Sequence, residues 1–273
     1  MKIRALFALV ATVAISVTAQ DAPPQHIDIH GLSGEKKGAE IIGQVVVPVP
    51  SEIFGILDKQ VNKPAWAEVL RSTKGVVAIG NPEQLSLILG TVIAEGFVAV
   101  EAEDAEEVKN IGRTVLSLSK AIGVQKSVTR RSKAIIDASD KRAWKDVRKE
   151  LEGALTDVKK AMDEMQNADH AQLVSLAGWL RGLEALTLVV EKNYSKDGAE
   201  LLHQPVLLNY FKRQIDGMET KKKDPLVQKV RKGLIDIEPL IGTGDADIPE
   251  KSVKEIQTIA TDLIKAINQK QNP

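Results

Sequence analysis

Between Leu85 and Val100 the chain carries one charged side chain, Glu95, in a stretch that is otherwise apolar or small. A helix that is apolar all round cannot lie on a surface in water and has to be enclosed by other elements. Asn81-Pro82 stands just ahead of it: a side chain suited to capping, then proline at the first helical position, where its missing N–H would be unpaired anyway. The sequence therefore predicts a central helix over 82–103. A second mostly apolar stretch, 168–193, puts Leu173, Leu176, Leu180, Leu183 and Val190 on one face and Gly178 and Gly182 four apart on another. Glycines at that spacing let helices approach closely. Arg181 and Glu184 beside them mark the seam as soluble packing, not membrane dimerisation.

Two enclosed helices need a shell, and the remaining sequence supplies amphipathic ones. Asp104 with Glu107 three places on resembles a capping box, after which Val108, Ile111, Val115, Leu118 and Ile122 recur at helical spacing up to Gly123. A shorter helix is expected over 126–138. The next carries Trp144, Val147, Leu151, Ala154, Val158, Ala161 and Met165 in a seven-residue rhythm and would be close to 40 Å long. Three more follow: 197–217 with a bend near Pro205, 225–241, and 250–270, the last defined by Val253, Ile256, Ala260, Leu263 and Ile267. Upstream, Ser51 can cap a helical segment over 52–59 and Pro64 can open a short helix through Arg71. Ile41–Val49 fits either a short edge strand or a helix stopped by proline. The expected fold is all-α, an irregular bundle of about eight to nine helices forming one domain over 39–273.

The N-terminus reads differently. Met1-Lys2-Ile3-Arg4 precedes an apolar run from Ala5 to Val17, which has the order of a secretory signal peptide and is short of the roughly 20 residues that span a bilayer. Val17 and Ala19 are small residues placed for cleavage after Ala19. The expectation is a signal peptide over 1–19, an extended tether over 20–38 that holds His26 and His30, and an exported product, periplasmic or secreted, with no transmembrane span in the mature chain. Losing Lys2 and Arg4 lowers the 37 basic residues by two against 37 acidic ones, a net charge of about −2, which argues against nucleic acid as a partner. No cysteine occurs, so disulfides, thiolate metal sites and covalent haem attachment through Cys-x-x-Cys-His are excluded. Packing must hold the fold, and a mature chain of roughly 250 residues can bury about 70–75% of its unfolded surface.

Catalytic signatures are missing: there is no Gly-rich phosphate loop, no Gly-x-Ser-x-Gly and no His-Glu-x-x-His. Glu200 and His203 have the Glu-x-x-His spacing of carboxylate-bridged metal bundles, but such a centre needs a second copy and further glutamates, and this chain has one copy. Packing of His203 near the bend is the simpler account. On the central helices, Glu95 shares a side with Gln84 and Thr91, and His170, Arg181, Glu184 and Glu191 fall in one sector together with Val174, Ala177 and Leu188. Three arrangements fit. Both stripes face water; or they meet as a buried Glu95–Arg181 or Glu95–His170 pair; or they line a ligand pocket with Glu95, His170, Arg181 and Glu184 as its site. If a pair forms, Arg181 is the preferred partner, because its fork suits a buried carboxylate. Trp66, Trp144 and Trp179 read as core, and Lys221-Lys222-Lys223 as a solvated loop. The functional expectation is a non-catalytic binding or scaffold protein, needing no cofactor, with a protein or small-molecule partner. A metal or haem protein with His and Glu ligands is the alternative.

Overall fold

The computed structural model describes residues 40–42, 45–47, 65–219, 221–242 and 247–269. The expected signal peptide, the tether with His26 and His30, the helical segment at 52–59 and Thr220 lie outside the described residues. Strands β1 (Glu40–Ile42) and β2 (Val45–Val47) pair antiparallel, with Ile41 opposite Val46. The β-branched segment thus takes the strand option.

The other regular elements among the described residues are helical: α1 (Trp66–Val69), α2 (Pro82–Glu101), α3 (Ala105–Ala121), α4 (Gln125–Asp140), α5 (Trp144–Glu164), α6 (Ala168–Lys192), α7 (Lys196–Glu200), α8 (Pro205–Gly217), α9 (Pro225–Ile237) and α10 (Glu250–Asn268), with single 3₁₀ turns at Lys221–Lys223 and Glu238–Leu240. Caps fix the boundaries. Asn81 Oδ1 accepts from Gln84 N at 2.8 Å, Asp104 Oδ1 from Glu107 N at 2.9 Å, and Asp224 Oδ1 from the amides of Leu226 and Val227. Gly123, in the left-handed region at φ 84°, closes α3. Three expectations change. The helix expected from Pro64 through Arg71 is a single turn, because Leu70 is extended and residues 70–80 run as an irregular strap. The 197–217 helix divides into α7 and α8, since proline disfavours helical backbone in the residue before it. Finally, α5 ends at Glu164 with Met165 exposed beyond it, and at about 1.5 Å per residue its 21 residues reach about 32 Å; the expected 40 Å was too long even for a helix that included Met165.

The central helices are α2 and α6, as their composition requires. They run parallel: Glu83 meets His170, Gly90 meets Val174 and Ala177, and Glu95 meets Arg181, so contacts advance in the same direction along both. Parallel neighbours need a long connection, and α3, α4 and α5 provide it, α4 packing on α3 and α5 while α5 returns to α2 and α6. On the other side α10 lies against α6 and α2, with α9 behind it. Both α2 and α6 are long and apolar enough to cross a membrane, and both are enclosed in protein as core helices. The periodic residues of α3 and α10 are buried as expected, Val108, Ile111, Val115 and Leu118 on one, Val253, Ile256, Ala260, Leu263 and Ile267 on the other.

The close approach falls on an unexpected residue. A Cβ at Gly90 would strike the main-chain carbonyl of Val174, whereas one at Gly178 would rest 3.5 Å from Gly90 O, ordinary contact, and one at Gly182 would meet nothing within 4 Å. Gly178 thus lies at the crossing, facing the α2 backbone across from Gly90, but is not its tightest position, and Gly182 is not part of it. The crossing is closest at Gly90, and a turn further along the Glu95 and Arg181 side chains hold the helices apart.

Candidate functional site

Glu95 and Arg181, 3% and 1% exposed, form a buried two-pronged pair: Arg181 Nε donates to Glu95 Oε2 at 2.5 Å and Nη2 to Oε1 at 3.1 Å. Neither water-facing stripes nor an isolated Glu95 describes this arrangement. Glu184, fully buried, stands three residues on in α6, with Oε2 at 3.3 Å from Arg181 Nη1. Its Oε1 accepts from Thr261 Oγ1 of α10 at 2.8 Å and pairs with Arg71 Nη2 of the strap. Burial opposes the charge on Arg181, but the charge and hydrogen bonds of Glu95, with the charge of Glu184, outweigh it and hold the guanidinium protonated more firmly than usual. Two guanidinium groups thus face two carboxylates across two helices and the strap, with the Thr261 hydroxyl joining them from α10.

The same cluster fixes the strap. Arg181 Nη2 donates to the carbonyl of Val69 at 2.8 Å, ending α1, and the amide of Arg71 donates to Glu95 Oε1 at 2.6 Å. Two residues on, Glu107 Oε1 accepts from both the amide and the hydroxyl of Thr73 at 2.6 Å. Glu107 therefore does not reach back to complete the expected capping box at Asp104; its carboxylate serves the strap. A helix through Arg71 is lost because these amides find stronger, charged acceptors in the core.

Beneath the strap lie two adjoining cavities. One, of about 160 Å³, is lined by Arg71, Thr91, Val92, Arg181, Ile264 and Asn268 among others; the second, of about 220 Å³, by Val77, Ile79, Gln84, Ile88 and Gln269, and both share Val76 and Asn268. Gln84, on the Glu95 stripe, is used structurally: its Nε2 donates to the carbonyls of Ile267 and Gln269, closing the end of α10. Val77 and Ile79 are exposed on the rim, Ile79 by 69%.

The other sequence candidates lie elsewhere. His170 sits far from Glu95, against Glu83 at 3.6 Å near the starts of α2 and α6. Burial, helped by Lys221, lowers its pKa below the ordinary 6.5 against the pull of Glu83 and Asp169. The unfolded chain then binds a proton at higher pH than the folded one, so stability present above about pH 6.5 is lost as pH falls toward the folded value. Urea midpoints at about pH 7.5 and about pH 5.5 should fall more for the wild type than for His170→Gln; equal slopes would show that His170 contributes nothing. His203 Nδ1 donates to the carbonyl of Ile241 at 2.7 Å, bracing the α7–α8 turn, and Glu200 lies beside it in the chain, its carbonyl accepting from the His203 amide. Among the described residues no group of three His, Cys, Asp or Glu is placed to hold a metal ion. Trp179 donates from Nε1 to Gln204 Oε1 at 2.8 Å, and Lys221 and Lys222 are tied to Asp169 and to the Asp216 carbonyl.

Arg71 and Thr261 of this cluster were not among the site residues expected from the sequence, and Glu107 was expected only as a cap partner of Asp104. Compared with known proteins, the chain matches no family model, and no curated protein or solved structure is significantly similar to it.

Proposed function

We propose that this chain is an exported, non-catalytic helical binding or scaffold protein whose binding edge is the strap over residues 70–80. The observation that carries the reading is a large aliphatic side chain, Ile79, standing exposed at the mouth of two joined, partly apolar cavities. Apolar groups on the rim of a concave surface favour association with a partner. The buried charges support binding over catalysis. The carboxylates of this cluster are engaged by the fold: Glu95 accepts from Arg181 twice and from the Arg71 amide, and the fully buried Glu184 pairs with Arg71 and Arg181. The charge-then-apolar start and the small residues before Gln20 support export to a periplasm or the cell exterior.

Two measurements test the reading. Intact mass of the protein from its native host should lack residues 1–19, and a mass that includes Met1 to Ala19 would overturn cleavage. A photo-cross-linker at Val77 should give an adduct in native medium that Ile79→Asp abolishes, while the same cross-linker at Lys251, near the far end of α10, gives none. Identical patterns from the two positions would overturn the strap as the binding edge.

A further inference from the structure

We infer that residues 76–79 of the strap take up a strand from a partner protein: an extended segment, antiparallel to the strap, with small aliphatic side chains facing the core and an acidic side chain that meets Lys74. This rests on the binding reading above and names the kind of partner for the same edge. Val76 and Ala78 are half-buried and pack against the core, while Val77 and Ile79 are exposed. That alternation is the one an extended chain shows, and it turns the main-chain N–H and C=O groups sideways along the surface. Among the described residues Val77, Ala78 and Ile79 hydrogen-bond to nothing. Three of the four residues in this run are β-branched and none is charged or proline, so the edge lacks the devices by which proteins keep free strands from pairing.

The surroundings decide what lies beside it. Toward the ends of α2 and α10 the strap borders the groove of about 220 Å³, whose walls are Val76 and Ile88 with the neutral Gln84, Asn268 and Gln269. Such a lining suits a small aliphatic side chain and opposes a charged one. Gly75, in the left-handed region at φ 88°, turns the chain ahead of Val76 and limits the pairing to four residues. Just beyond it stands Lys74, the one charged side chain lining the groove, exposed and paired with no described acid. Antiparallel pairing is the more stable kind, and a strand running from Ile79 towards Val76 carries its next residues to Lys74, where a carboxylate completes an ion pair. A second copy of this chain is the poorer occupant. The charges of the strap, Arg71 and Lys74, are both basic, so strap on strap brings no acid to Lys74.

The test uses the full chain labelled with nitrogen-15 and the peptide acetyl-Thr-Val-Thr-Val-Gly-Glu-amide, whose valines fall opposite Ala78 and Val76 and whose glutamate falls opposite Lys74. It should shift the amides of residues 76–80 saturably and slow their hydrogen exchange. Two further peptides carry N-methyl groups on alternate residues, one in each phase. Paired antiparallel strands present alternate N–H groups to each other, so one phase should abolish the shifts and the other keep them. Lysine in place of the peptide's glutamate should weaken binding roughly five-fold, the upper scale of an exposed ion pair, and Lys74→Glu should reverse that preference. Equal effects of the two N-methylated peptides, equal binding of the glutamate and lysine forms, or no shift with any peptide would each overturn the inference. Shifts of the same amides on concentrating the protein alone would assign the edge to a second copy and overturn it too. A Val77 cross-link that persists while no peptide moves these amides would overturn strand addition and leave the binding edge standing; peptide binding without a Val77 adduct in native medium would do the reverse.

Discussion

Arg181→Met is expected to lower the unfolding free energy by roughly 3–5 kcal/mol, the range seen when one member of a buried ion pair is removed. The change leaves Glu95 and Glu184 both buried and charged, with only the half-exposed Arg71 near them. It also strips the Val69 carbonyl of its donor. Glu95→Gln should cost less, because Arg181 keeps Glu184 as a counter-charge. In a double-mutant cycle measured by urea denaturation, the pair should show coupling well above the ~1 kcal/mol ceiling of exposed pairs; coupling near zero would remove it. Lysine is a poor rescue at position 181, since a compact ammonium lacks the planar fork that reaches both Glu95 oxygens and the Val69 carbonyl from fixed positions. Replacing both partners with apolar residues often restores stability at buried pairs, but here recovery should be incomplete. The Arg71 amide and the Val69 carbonyl lose their partners in the same step, so hydrogen exchange should quicken along residues 70–76 even in a double variant that recovers much of its midpoint.

What the sequence revealed and what it hid follows from the range of the interactions. Helix limits set by adjacent residues were legible: Asn81-Pro82 opens α2, Asp104 opens α3 and Gly123 ends it. The Glu95–Arg181 pair was legible as one of three arrangements, because each residue interrupts an otherwise apolar helix. The helical wheel that grouped His170 with Arg181 gives angle and not height. Eleven residues separate the two, about 16 Å along the axis, so both could not reach Glu95, and His170 meets Glu83 a corresponding distance back along α2. The strap was not legible. Its partners are Glu95, Glu107 and Glu184, the last 113 residues from Arg71, and nothing local in Arg71-Ser72-Thr73 signals that its amides will leave a helix for buried carboxylates. Glu107 shows the same competition, since its spacing from Asp104 fits a capping box and the fold uses it elsewhere.

Gly90→Ala is expected to destabilise by about 3 kcal/mol, the upper end for overpacking, although alanine is the better helix former by about 1 kcal/mol. The reason is what the new methyl meets. A side chain could rotate aside, but the Val174 carbonyl belongs to the hydrogen-bonded backbone of α6 and moves only if the helix moves. Shifting α6 would also disturb the spacing that lets Arg181 reach both Glu95 oxygens one turn further on. Gly182→Ala is the matched control: same helix as Arg181, buried, with no atom within 4 Å of the added carbon, so the propensity gain of about 1 kcal/mol should appear undiminished. Opposite signs in thermal melts of the two variants are the expected result, with faster exchange of the Arg71 amide in Gly90→Ala alone. If Gly90→Ala melts at or above the parent, the parallel α2–α6 crossing is looser than described, and the Glu95–Arg181 pair does not depend on it.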